Sequence, residues 1–210
     1  MKYSAIDPKL YSHNRERFVK KMKSNAIAIF HAHPTLPENG DAVYHDKPNS
    51  DVVWLSGIVQ EKTMVILYPD NLDKKYREVL VILRPNETLE IWYGHKLTKE
   101  EASEISGIPT VIYLDQLDAM LQAWMHHAEH VYLDTNENDR LDTTLPRLDL
   151  MYVHQLMKRY PLHKYERAAI LLKELRAIKT KNEVAVMQQT GEKTPQTLMR
   201  GWKVITPRGF

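Results

Sequence analysis

Two apolar runs, Val52-Val-Trp-Leu55 and Thr63-Met-Val-Ile-Leu-Tyr68, constrain this chain most. Both are dense in β-branched and aromatic residues and are bounded by Asn49, Asp51, Gly57, Pro69 and Asp70, which predicts strands over 51–56 and 63–69. Neither run alternates apolar with polar residues, as a strand with one wet face would. Near-continuous apolarity is the pattern of strands covered on both faces, so a central sheet with helices packed over it is expected.

The other elements follow from the same reasoning. Asp7-Pro8 reads as a helix start, with Leu10, Phe18 and Met22 on one face and the helix ending near Lys23. Ala26 to Phe30 reads as a short buried strand, and residues 31–50, with Pro34, Pro37, Gly40 and Pro48, as a long irregular connection. Residues 77–83 continue the sheet, so strands 51–56, 63–69 and 77–83 are expected to form an antiparallel meander. Leu89 to Gly94 is a shorter, more exposed apolar run read as a strand end. Thr98 with Glu101 forms a capping box for a helix to about Ile105. Strands at 111–114 and 130–134, around a helix capped by Asp115, imply a parallel crossover, and the class is mixed α/β. From Thr143 onward the periodicity is helical, with Pro161 interrupting. A second capping box, Thr180 with Glu183, opens another helix, in which Gly191 and Pro195 are expected to cause breaks, so the domain boundary falls between Ile178 and Thr180.

Composition narrows the function classes. With 29 basic and 27 acidic residues the net charge is +2, which lacks the electrostatic footprint that nucleic-acid binding requires. The absence of cysteine excludes thiol chemistry and fits a reducing compartment. No apolar window approaches the roughly 18 residues of a membrane span, so a soluble cytoplasmic protein is expected. The sharpest local motif is His126-His-Ala-Glu-His130, which spells the H-x-x-E-H pattern of zinc peptidases; His126, Glu129 and His130 would supply the site. The same stretch also reads as the C-terminal end of an amphipathic helix over 115–130, with Leu117, Met120, Leu121, Trp124 and Ala128 buried and the histidines in solvent. His31 with His33, and the acidic loop Asp134, Asp139 and Asp142, are weaker ligand candidates. Trp92-Tyr-Gly-His95 offers exposed aromatics for a ligand or subunit contact.

Three spaced segments carry a resemblance. Asn39-Gly-Asp41 followed by Asn49-Ser50-Asp51-x-x-Trp54-Leu-Ser-Gly57 and Glu61 resembles the pattern R-Q-N-S-D-F-x-Y-L-T-G-φ-x-E-P of the N-terminal domain of Xaa-Pro aminopeptidases, also called aminopeptidase P. Glu90-Ile-Trp-Tyr-Gly-His95 is similar to the family's E-I-W-x-G-R, and Leu175 to Met187 to its junction M-R-x-x-K-S-x-x-E-I. Lys47 and Pro48 stand where the family has Arg-Gln, and Val52 and Val53 replace aromatics.

The resemblance implies a ribonuclease-H-like mixed sheet flanked by helices over residues 1–178, with 179–210 as the first helical segment of a truncated pita-bread catalytic domain. It implies no cofactor in this chain, and two Mn²⁺-type ions in a full-length relative, on ligands beyond the segment that Thr180 to Phe210 resembles. A metallopeptidase of this kind releases the N-terminal residue ahead of proline by a metal-activated hydroxide. This chain alone is accordingly expected to be inactive, serving oligomer assembly and substrate access through Trp92. Its expected partners are further copies of itself and the catalytic domain of the same family. Creatinase and prolidase carry similar N-terminal domains. A free-standing interaction domain using Trp92 and the 31–50 loop, and a small metallopeptidase using His126, Glu129 and His130, are the alternatives.

Overall fold

The computed structural model describes residues 6–32, 36–44, 49–138, 140 and 147–204. The chain divides into two units, Met1–Leu175 and Arg176–Phe210. In the first, α1 (Lys9–Val19) precedes β1 (Ala26–His31), a two-strand hairpin β2 (Pro37–Asn39) and β3 (Ala42–Val43), α2 (Ser50–Ser56), β4 (Met64–Leu67) and β5 (Glu78–Ile82). There follow α3 (Glu87–Tyr93), α4 (Lys99–Ser106), β6 (Thr110–Tyr113), α5 (Leu117–Met125), β7 (His130–Leu133), α6 (Leu148–Arg159), β8 (Lys164–Arg167) and α7 (Ala168–Ala177). The second unit is dominated by α8 (Lys181–Val204).

The main sheet has the order β6-β5-β4-β1-β7-β8. β4 is antiparallel to both its neighbours, β1 and β5, whereas β1 with β7, β5 with β6 and β7 with β8 are parallel. The central position of β1 explains its composition, because all six of its residues are buried. Ala26, Ala28 and Phe30 face a core layer with Phe18, Val52, Leu55, Ala102 and Leu172, so α1, α2, α4 and α7 cover that side. Ile27 and Ile29 face the opposite layer with Leu117, Leu121, Trp124 and Leu156 from α5 and α6. A mixed α/β sheet flanked by helices is therefore what the apolar runs encode.

Several local expectations are corrected. Residues 51–56 are not a strand but α2, because the polar residues at its ends are helix caps. Asn49 accepts from the N–H groups of Asp51 (2.8 Å) and Val52 (3.3 Å), and Gly57 closes the helix at φ 73°. A four-residue apolar run fits either period, so the flanking caps decide. β1 takes the expected place of 51–56 beside β4. Residues 89–94 are likewise helical: Asn86 caps α3 through the N–H groups of Thr88 (3.0 Å) and Leu89 (3.3 Å). Asp115 does not cap a helix, since it lies in a short 3₁₀ turn and pairs with Arg84 at 2.8 Å. The 31–50 connection contains the hairpin β2–β3, turned at Gly40-Asp41, where Gly40 has φ 60°. β8 lies within the stretch expected to be wholly helical; as a sheet edge it is polar and partly exposed, so it lacks an apolar signature. α8 runs through Gly191 and Pro195 without a break. Pro195 withholds one N–H from the ladder, while Thr194 and Thr197 donate their hydroxyls to the carbonyls of Thr190 (3.0 Å) and Lys193 (2.9 Å).

One charged side chain holds the helix layer together. Arg15 is fully buried on the apolar stripe of α1, beside Tyr11 and Phe18. Its Nη1 donates to the carbonyls of Leu55 (2.8 Å) and Ser106 (2.9 Å), at the C-terminal ends of α2 and α4, and its Nε donates to Glu78 at 2.9 Å. Burial lowers the Arg15 pKa, and the nearby Glu78 carboxylate offsets part of this. The two helix ends are built alike, as Ser56-Gly57-Ile58 and Ser106-Gly107-Ile108. In each, the serine hydroxyl donates 2.7 Å back to the carbonyl of Val52 or Ala102 and accepts from the following isoleucine N–H. Both glycines have positive φ, 73° and 70°.

Arg15→Met is expected to lower unfolding free energy by about 3 kcal/mol, because two helix-end carbonyls and Glu78 lose their donor inside the core. Gly57→Ala, whose added Cβ would lie 2.4 Å from the Tyr11 ring at a positive φ, is expected to cost about 1–3 kcal/mol. Urea unfolding midpoints of both variants check these values.

Candidate interaction surface

α3 differs from the other helices of the first unit in having no buried residue. Its apolar side chains project outward: Ile91 is 81%, Trp92 80%, Tyr93 61% and Leu89 49% exposed. Seven residues are too few to form a stable helix alone, so its position depends on its ends. Asn86 fixes the first turn, and Gly94, at φ 75°, ends it. The chain then returns through a strap at 95–98 that is tied on three sides. The Lys96 N–H donates to Glu90 Oε1 (3.3 Å), Lys96 Nζ pairs with Glu61 (2.6 Å), and the Leu97 N–H donates to Gln60 Oε1 (3.0 Å). Glu61 and Gln60 belong to the turn between α2 and β4, so the strap fastens α3 to the core layer. At the far end of the strap Thr98 and Glu101 form the expected capping box of α4.

His95 joins this network. Its Nε2 lies 2.9 Å from Glu101 Oε2 on α4 and its Nδ1 3.5 Å from Glu90 Oε1 on α3. The hydrogen bond to Glu101 and that residue's charge raise the His95 pKa above its ordinary value. Glu101 is held below the usual carboxylate range, first by the backbone N–H of Thr98 and then by His95.

The structure thus places Trp92 and Tyr93 on the outward helix α3 and His95 in the strap that follows it. It separates them from the motif residues Asn49, Ser50, Asp51, Trp54 and Gly57, which build α2. There Asn49 also donates from Nδ2 to the His31 carbonyl (3.2 Å), and the Trp54 ring lies under the Arg17 guanidinium at 5.9 Å. His126, Glu129 and His130 do not share a helix face. α5 stops at Met125, and His130 opens β7. Glu129 pairs with Lys164, and His130 Nδ1 lies 3.0 Å from Glu166. His31 is buried against the Tyr152 ring at 4.6 Å, and Asp134 is buried; His33, Asp139 and Asp142 lie outside the described residues. Among the described residues no group of three His, Asp or Glu side chains is placed to hold a metal ion, so the donor set does not fit the two-ion centre that the resemblance implies for a full-length relative. Sequence reasoning missed the tethers Gln60, Lys96 and Glu101 as a set; the only signal was the capping box, which marks where the strap ends.

The comparisons agree on the class. A family model described as aminopeptidase P, N-terminal domain, matches residues 11–132. The chain belongs to that family. It is 23% identical over 99% of its length to a Xaa-Pro aminopeptidase of Escherichia coli and 21% identical over 95% to one of Haemophilus influenzae, covering 47% and 44% of those proteins. The chain therefore spans about half the length of the curated relatives it matches. Among solved structures, a Bacillus anthracis chain assigned to aminopeptidase P superposes with a TM-score of 0.77 at 26% identity, over 88% of this chain and 43% of that one. The low-pH form of Escherichia coli aminopeptidase P has the same fold, with a TM-score of 0.74 at 22% identity over 97% of this chain and 46% of that one.

Because Trp92 touches no core, Trp92→Ala is expected to change unfolding free energy by no more than about 0.5 kcal/mol. Thr98→Ala, which opens the capping box at the end of the strap, is expected to cost about 1 kcal/mol. Thermal or urea unfolding distinguishes the two.

Proposed function

We propose that this chain is the non-catalytic N-terminal domain of a Xaa-Pro aminopeptidase, with α3 as the surface through which it meets a neighbouring subunit and borders that subunit's substrate entrance. In this reading a separate catalytic module holds the metal ions and cleaves the bond before proline, and the N-terminal domain serves assembly and access. One observation carries it: an outward helix bearing Leu89, Ile91, Trp92 and Tyr93, clamped by polar tethers rather than by core packing. Exposed aromatics grouped on a positioned element are the usual anchors of an interface, because they bury large area at low entropic cost. The near-balanced charge and the family membership support a protein partner over a polyanion.

Sedimentation velocity of the purified chain is expected to show concentration-dependent self-association, which Trp92→Ala with Tyr93→Ala abolishes while the unfolding midpoint holds. A strictly monomeric chain, or association indifferent to both substitutions, overturns the contact role. Loaded with Mn²⁺ and given an Xaa-Pro peptide, the chain is expected to turn over no faster than a mock purification.

A further inference from the structure

A histidine between two carboxylates is a chemical asymmetry, and His95 is in that position. One ring nitrogen faces Glu101 on α4 at 2.9 Å, and the other faces Glu90 on α3 at 3.5 Å. A neutral imidazole carries one N–H, so it donates to one carboxylate and presents a lone pair to the other. Only the imidazolium has a proton for each. The two lysines beside His95 are already engaged, Lys96 Nζ with Glu61 from the α2–β4 turn and Lys99 Nζ with Gln116 and the Tyr113 ring, and the other charges on α3 and α4, Glu87, Glu100 and Glu104, are carboxylates. Each carboxylate keeps a backbone donor in either state, Glu101 the Thr98 N–H (2.9 Å) and Glu90 the Lys96 N–H (3.3 Å), so the shorter His95 contact decides: the remaining ring proton stays on Glu101 at 2.9 Å and the loss falls on Glu90 at 3.5 Å.

We propose that His95 is a proton-operated clasp: as imidazolium it bridges Glu90 to Glu101 and holds α3 against α4, and as neutral imidazole it releases the Glu90 end, so that the Trp92 face loosens. That the clasp regulates assembly or access rests on the contact role of α3 proposed above; the clasp itself does not. The direction follows from the geometry. A histidine whose pKa is raised by its folded partners, above an ordinary value of 6.5, makes its full contribution below that value and loses it as pH rises through the raised one. The clasp is therefore closed below the ordinary histidine value and opens as pH rises through the raised one. The contacts are solvent-exposed, so added salt weakens them.

The test uses the whole chain, free of any partner. The ring nitrogens of His95 are titrated by ¹⁵N NMR, and α3 is followed through the ¹⁹F resonance of fluorotryptophan at Trp92, assigned with Trp92→Phe. His95 is expected to titrate above 6.5, with the Trp92 resonance inflecting at the same midpoint, and amide protection over 88–93 is expected to fall about two- to fivefold from the acidic to the basic side, the scale of an exposed ion pair. His95→Gln is expected to hold Trp92 at the basic-side position at every pH. His95→Arg, a fixed cation, is expected to remove the inflection. A Trp92 resonance that ignores the His95 titration, or an inflection that survives in His95→Arg, overturns the clasp. Both readouts are taken at a concentration where sedimentation shows monomer, so failure of the contact role is seen separately in sedimentation.

Discussion

The helix layer over one face of the sheet depends on the placement of one guanidinium. Arg15 is drawn into the core by the helix that carries it, and the cost of a buried cation is offset here through Nε and Nη1, while Nη2 makes no hydrogen bond. Two of its partners are carbonyls at the ends of α2 and α4, where the helix macrodipole is negative and the last oxygens lack intrahelical donors. The third is Glu78, at the start of β5. One side chain thereby satisfies orphaned acceptors on two helices and links both to the sheet. The repeated Ser-Gly-Ile ends make this possible, since a left-handed glycine turns the chain away sharply enough for both termini to approach the same group.

What the sequence disclosed and what it hid have the same cause. β1, β4, β5, β6 and β7 were legible because burial on both faces leaves a long uninterrupted apolar record. α2 and α3 were not, since a run of four to seven apolar residues is silent about its period, and the capping roles of Asn49, Gly57 and Asn86 had to outweigh it. β8 is an edge strand written in Lys164, Tyr165, Glu166 and Arg167, which look like surface whatever their backbone does. Arg15 left a faint trace, a charge in the middle of the Leu10, Tyr11, Phe18 stripe, but its partners lie 40 to 91 positions away. The candidate site divides in the same manner. The aromatic cluster at Trp92 was visible as composition; the tethers that aim it join Glu61 to Lys96 and His95 to Glu101, and no local pattern announces such pairs.

The contrast between the two kinds of anchoring matters for function. α2 and α4 are fixed through a fully buried guanidinium, and α3 through side chains at the surface, none of them fully buried. A surface element held in this way opens at lower free energy than the core beneath it, as is usual for segments that engage partners. Rigidity below and adjustability above let one domain serve as scaffold and contact at once.

The position of β1 has a consequence in time as well as in space. Its six buried residues are closed on one edge by β4, which follows within about forty residues, and on the other by β7, whose His130 pairs with Ala26. At a synthesis rate near 5–20 residues per second, about 5–20 s separate the emergence of β1 from that of the strand that seals it. During that interval a strand whose every residue is buried in the finished fold presents an open hydrogen-bonding edge, and the nascent chain is vulnerable to joining the wrong neighbour.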